Sequence, residues 1–209
     1  MRRIGRYLVL ALVVLPAALF AAPSDPGGAL GPSLSAPSLK GQLLIATEGM
    51  TDPRFDHAVI LMVSHDHDGA FGIVINRPLG EKPLAEILEA FGRKDTGATG
   101  SVPVFLGGPV QLEVSFTIHG SDYSRTHTRT VAAHLAVTPS SEVLEDIAQN
   151  QGPAKSLVAF GYAGWSPGQL ENELAHNVWY MAPADPGIVL DDDRSKVWEH
   201  AVARRTQDL

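Results

Sequence analysis

The stretch His57–Arg77, HAVILMVSHDHDGAFGIVINR, holds two runs dense in aliphatic and β-branched side chains, HAVILMVSH and GAFGIVINR. Between them lie Asp66, His67 and Asp68, and Gly69 opens the second run. Short apolar runs of this kind read as strands, and Asp and Gly are the residues a tight reversal requires. The stretch is therefore a β-hairpin, and GQLLIAT (41–47) before it reads as another strand.

Working outward, LAEILEAFGR (84–93) places Leu84, Ile87, Leu88 and Phe91 on one stripe of a helix closed by Gly92. VPVFLGGPV (102–110) and EVSFTIHG (113–120) read as strands around a Gly-Gly-Pro turn, and RTVAAHLAVT (129–138) as one further strand. SEVLEDIAQNQGP (141–153) is a short helix with Val143, Leu144 and Ile147 inward, and SLVAFGYAG (156–164) a central strand. A helix from Pro167 buries Leu170, Leu174 and Val178. PGIVLD (186–191) reads as a last strand, and SKVWEHAVAR (195–204) as a final helix with Val197, Trp198, Ala201 and Val202 facing in. Strands come in adjacent groups instead of alternating with helices, which predicts an α+β domain with a mixed sheet.

The chain has 209 residues, enough for one substantial domain and short for two. Its first residues differ from the rest. MRRIGR is basic, Tyr7–Phe20 is an apolar run of fourteen residues interrupted by Pro16, and small residues follow at Ala21 and Ala22. This is the layout of a signal peptide over residues 1–22, too short for an ordinary membrane span. An uncleaved anchor and a misassigned start are the alternatives. Residues 23–40, rich in Pro, Gly, Ser and Ala, read as a flexible linker, so the folded domain is expected over 41–209.

The net charge is −7, and loss of Arg2, Arg3 and Arg6 with the leader would leave 13 basic residues against 23 acidic ones. That balance argues against phosphate-backbone binding, so no nucleic acid partner is expected. The absence of cysteine excludes disulfides, thiolate metal sites and a catalytic thiol.

Four motifs suggest chemistry. Gly164–Gly168, GWSPG, matches the G-x-S-x-G pattern of hydrolase nucleophiles, but the residue after Ser166 is Pro167. Proline has no N–H to supply the oxyanion hole. Ser166 with Gln169 instead fits a capping box, with Ser166 as N-cap and Pro167 at the first helical position. His65-Asp66-His67-Asp68 could offer metal ligands on one face of a strand, or be a solvated hairpin tip, the reading that turn chemistry favours. Glu173 and His176 form an E-x-x-H step, but di-iron sites need two such motifs and this chain has one. Glu171 and Glu173 diverge by about 200° on a helix, so one can face a groove while the other is solvated. Gly107-Gly108 permits either a tight turn or close approach to a ligand, and without a following Lys-Ser or Lys-Thr it is not a P-loop.

Three segments together resemble the AlgH/YqgE family of bacterial proteins: residues 43–79 (from LLIAT through INRPL), FLGGPV (105–110), and LVAFGYAGWSPGQLENELAHNVWYMAPAD (157–185), with Trp198 also in place. The resemblance implies a single α+β domain with a bent, barrel-like mixed sheet and helices packed outside it. It implies no defined activity, since members are labelled transcriptional regulators from an effect on alginate production. The family pattern covers Asp52, His65, Asn76, Gly107, Gly108, Trp165, Gln169 and Glu171, and leaves His67, His176 and Ser166 at variable positions. The leader is a departure, because most members begin near the LLIA strand and are expected in the cytoplasm.

The polar positions suggest one groove for a small polar or anionic ligand, formed by Asn76, Arg77, Gly107, Gly108, Gln169 and Glu173. Alternatively, Asn76 and Asp52 satisfy backbone groups at turns. The expectation is an exported, non-enzymatic binding or accessory protein, periplasmic or secreted, with no catalytic residue, metal or cofactor. Membrane contact is expected only through an uncleaved leader. A cytoplasmic transcription-linked regulator and a hydrolase or metal-dependent enzyme are the competing classes.

Overall fold

A computed structural model of the chain describes residues 37–94, 97–191 and 193–206. The predicted signal segment and residues 23–36 of the predicted linker lie outside the described residues. The hairpin forms as the sequence requires: strands β2 (Val59–Asp66) and β3 (Gly69–Val74) pair antiparallel, with His65 opposite Ala70 and Asp66 opposite Gly69. Strand β1 (Gln42–Ala46) pairs with β2 on the other side. Alternation along these strands divides the core. Leu43, Ile45, Leu61 and Val63 enter one apolar cluster, while Leu44, Ala46, Ile60 and Met62 enter another on the opposite face.

The remaining strands are β4 (Pro78–Pro83), β5 (Ser101–Leu106), β6 (Val110–Gly120), β7 (Arg129–Ala132), β8 (Leu135–Pro139), β9 (Ser156–Trp165) and β10 (Trp179–Pro183). The main path of the sheet runs β10-β1-β2-β3-β9-β6-β8-β7, and β5 joins β9 to β4. Strand β5 is parallel to β9 and the other described pairs are antiparallel, which makes the sheet mixed. It bends without closing. The outer strands β10 and β7 do not pair, yet Val131 of β7 lies against Gly41, and both ends contribute to the concave cluster.

Helices cover both faces. Helix α1 (Leu84–Ala90) and α2 (Ser140–Ala148) bury Leu84, Ile87, Leu88 and Leu144 against Val104 and Val158. Helix α3 (Gln169–Ala175) sets Leu170 on the cluster that contains Trp165 and Trp179. A short helix α4 (Pro186–Val189), a 3-10 turn over Arg194–Lys196 and helix α5 (Val197–Ala203) place Ile188, Val197 and Ala201 in the concave cluster.

Four elements differ from the sequence reading. RTVAAHLAVT is two strands, because His134 takes a left-handed φ of 62° and turns the chain between Ala132 and Leu135. PGIVLD is helical: Asp185 caps α4 by accepting from the Gly187 amide at 2.7 Å, and Pro186 holds the first helical position. The helix expected to reach Val178 ends at Ala175, where Asn177 at φ 54° reverses the chain into β10. PLGEKP, which carries no strand signal, forms exposed β4 by pairing with β5 alone.

Below α2 a chain of hydrogen bonds has one direction. The Gly120 carbonyl can only accept, so His119 Nδ1 donates to it at 2.7 Å, and Nε2 accepts from Thr138 Oγ1 at 2.8 Å. Thr138 in turn accepts from Thr128, whose oxygen accepts the Arg125 amide. His119 is fully buried, and its desolvation pushes the imidazole pKa down, against the upward pull of its bond to Gly120. A depressed pKa means that the unfolded chain takes up a proton first. The stability this group contributes is thus present above the unfolded value of about 6.5 and is lost as pH falls from there towards the folded value. Urea midpoints are expected to drop on going from pH 7 to pH 5, and His119→Gln, which keeps an acceptor for Thr138, should flatten that limb.

Candidate functional site

The six polar and glycine positions expected in one groove lie in three places. Glu173 is 3% exposed and has its oxygens occupied. Oε2 accepts from the indoles of Trp165 and Trp179, each at 2.8 Å, and Oε1 accepts from Gln169 Nε2 at 3.0 Å. Gln169 Oε1 accepts the Ser166 amide at 3.2 Å. These two side chains join β9, α3 and β10 across the interior. Glu173 is closed to solvent, and Gln169 is part-buried beside it.

Ser166 is not the cap that its sequence suggests. The N-cap of α3 is Gly168 at φ 75°, with no side-chain cap bond, so only the Gln169 arm of the expected capping box exists. The reason is local: the turn Ser166–Gln169, closed by the Gln169 amide on the Ser166 carbonyl, delays the helix by two residues. Glu173 is buried, whereas His176, at the C-cap of α3, is exposed and its ring bonds to the Asn172 carbonyl. Glu171, on the diverging face, meets His65 Nε2 at 2.8 Å.

Glycines 107 and 108 face their own chain. The Gly107 amide donates to the Phe160 carbonyl, and its carbonyl accepts from Val74. A Cβ on Gly108 would stand 2.1 Å from the Tyr162 carbonyl carbon, and one on Gly107 would stand 2.4 Å from the Gly161 oxygen. The roles open to this pair were a tight turn and close approach to a ligand; the backbone that they approach is β9 of their own chain.

His65 departs from the solvated tip expected of its run. It is buried, whereas Asp66, His67 and Asp68 are exposed, with donor atoms within 4.8 Å of one another at the hairpin end. Buried His65 and exposed His67 do not converge.

Asn76 and Arg77 line a cavity of about 390 Å³ between the end of β3 and helix α5. Asn76 Oδ1 accepts the Val59 amide at 2.9 Å, Nδ2 donates to the His57 carbonyl at 2.8 Å, and Arg77 donates to the Asp56 carbonyl. Asn76 thus serves the turn role left open in the sequence, and the pair fastens the loop that carries His57. His57 sits at φ 52°, a conformation costly for a side chain with a Cβ, and its ring packs at 4.5 Å against Trp198. Arg194 lies over the Phe105 ring at 5.4 Å and donates to the Val189 carbonyl. Ser195 also lines the cavity, and Glu199 is the acid among its described lining residues. His57 Nδ1 pairs with Asp56 Oδ1 at 2.7 Å, so the two guanidiniums, set beside the lining carboxylate of Glu199, are the groups that suit the site to an anion. His57, Arg194 and Ser195 escaped the sequence reading. A left-handed φ leaves no mark on an Asp-His pair, and α5 is more than a hundred residues from β3.

This fold defines a class: a single α+β domain built on a large mixed sheet that does not close. A family model described as DUF179, AlgH-like, matches residues 43–209. A UPF0301 protein of Methylococcus capsulatus is 43% identical over 162 residues, covering 78% of this chain and 88% of that protein. One from Jannaschia sp. is 42% identical over 166 residues, covering 78% and 86%. The solution structure of the AlgH protein from Pseudomonas aeruginosa superposes with a TM-score of 0.68 at 41% identity, over 82% of this chain and 92% of that one. A crystal structure of a protein from Corynebacterium diphtheriae shares the fold at a TM-score of 0.61 and 20% identity, over 79% and 85%. The chain belongs to the AlgH-like family.

Glu173→Ala leaves two buried indole N–H groups without an acceptor and should cost about 3–5 kcal/mol. Ser166→Ala, at a hydroxyl that caps nothing, should stay within about 0.5 kcal/mol. Urea denaturation of both variants separates the two roles.

Proposed function

We propose that this chain is an exported, non-enzymatic binding or accessory protein that takes a small anionic ligand in the cleft between the end of β3 and α5. The observation that carries the reading is the convergence of Arg77, Arg194 and His57 on one cavity of about 390 Å³. That volume lies at the lower end for small-molecule sites. Two planar, permanently charged guanidiniums suit a phosphate or carboxylate group, and Trp198 adds an apolar wall. The domain as a whole is acidic, so the cationic groups favour a small anion over an extended polyanion. The basic start, apolar run and small residues of 1–22 support export.

Calorimetric titration with inorganic phosphate and with a small dicarboxylate tests the cleft. Binding to the wild type is expected, weakened about tenfold or more in Arg77→Ala and in Arg194→Ala, as loss of one charge-assisted contact implies. Equal affinity in wild type and both variants would place the anion elsewhere. Fractionation reads the other half of the proposal: a shortened chain in the periplasm is expected, and an intact amino terminus in the cytosol contradicts export.

A further inference from the structure

The residues that lead into β1 are tied to one imidazole. Leu39 donates its backbone N–H to His65 Nδ1 at 3.1 Å, and Ser38 Oγ donates to the His65 carbonyl at 2.9 Å. The Leu39 side chain packs on the apolar cluster that includes Trp165 and Leu170. An amide can only donate, so Nδ1 carries no proton in this arrangement. The proton is on Nε2, which donates to Glu171 Oε1 of α3 at 2.8 Å. The ring is buried, so neither nitrogen has water as an alternative partner of comparable access.

We propose that His65 is a proton-operated clasp: its neutral form holds Ser38–Lys40 against the domain, and protonation at Nδ1 releases them. Histidine is the side chain whose charge changes in mildly acidic conditions. Once Nδ1 bears a proton, two N–H groups point at each other and the Leu39 bond is lost. On the far side of the ring the added charge strengthens the pairing with Glu171, so α3 stays attached while the lead-in segment lets go.

The surroundings leave Glu171 as the charged group in contact with the ring. Opposite His65 on β3 stands Ala70, and opposite Ala70 on β9 stands Trp165, neither of which titrates. Asp66, next on the strand, is exposed and accepts from the Asp68 amide, and Lys40 is exposed. Release withdraws Leu39 from the apolar surface beside Trp165. The clasp is independent of the anion cleft, because no residue is shared between them.

The test uses the full chain with ¹⁵N-labelled histidine and leucine. At neutral pH the His65 resonances should show an unprotonated Nδ1 and a protonated Nε2. On acidification Nδ1 should titrate, and the protection factor of the Leu39 amide against hydrogen exchange should fall with it, by up to about tenfold per pH unit, the limit for one linked proton. In His65→Asn, whose Oδ1 occupies the Nδ1 position, Leu39 protection should not change with pH. A proton on Nδ1 at neutral pH overturns the proposal. So does Leu39 protection that stays constant while His65 protonates. Both can be read in the wild type alone.

Discussion

The architecture depends on one backbone crossing, where the Gly107-Gly108 turn meets Gly161 in the middle of β9. Along one edge β9 pairs first with β5, through Val158–Phe160, and then with β3, through Ala163–Trp165. The change of partner falls at Gly161, which takes φ 73° and stands with its Cβ position 2.5 Å from the Gly108 oxygen. A side chain at either surface would push the two backbones apart and cost the bonds that Gly107 makes to Phe160 and Val74. Because the crossing fixes β5 relative to β3, it also fixes where Arg77 sits: the Leu106 amide, one residue before the turn, donates to the Arg77 carbonyl. The cleft is therefore positioned by a crossing whose glycines do not line it.

Burial sorts the polar residues into structure and site. A buried group without partners is costly, so the interior satisfies Glu173 with two indoles and an amide, and His119 with a carbonyl and a hydroxyl. Groups committed in this way have nothing left to offer a ligand. The cleft beside α5 differs in degree: Arg77 and Arg194 each donate to a backbone carbonyl from a guanidinium that carries five N–H groups. Asn76 spends its polar atoms on the loop, while the loop's own His57, held at a strained φ, is presented at the surface beside Arg194 and Trp198.

Much of this was legible from residue pattern. The hairpin around Asp66–Gly69, the stripe of α1 and the hub position of β9 follow from apolar periodicity and turn chemistry, which are local. The failures are also local, but they turn on single dihedrals or on pairing. His134 and Asn177 adopt left-handed conformations that many residues could refuse, and Pro78–Pro83 becomes a strand only because β5 lies alongside. PGIVLD reads as a strand from its apolar run, yet the Asp185 cap and Pro186 at the first helical position start a helix there. At the site, Asn76 and Arg77 could be picked out as polar residues closing a strand. Nothing in the sequence joins them to α5, and nothing separates them from Gln169 and Glu173, the latter held by Trp165 and Trp179 meeting across the fold.

The central claim is that the open polar chemistry of this domain lies beside α5 and not at the start of α3. A map of backbone and indole amide shifts during titration with inorganic phosphate tests it most directly. The account predicts perturbations that gather on His57, Arg77, Arg194 and the Trp198 indole and leave the Trp165 and Trp179 indoles in place. Shifts centred on Trp165, Gln169 and Glu173, with the residues beside α5 unmoved, would contradict it.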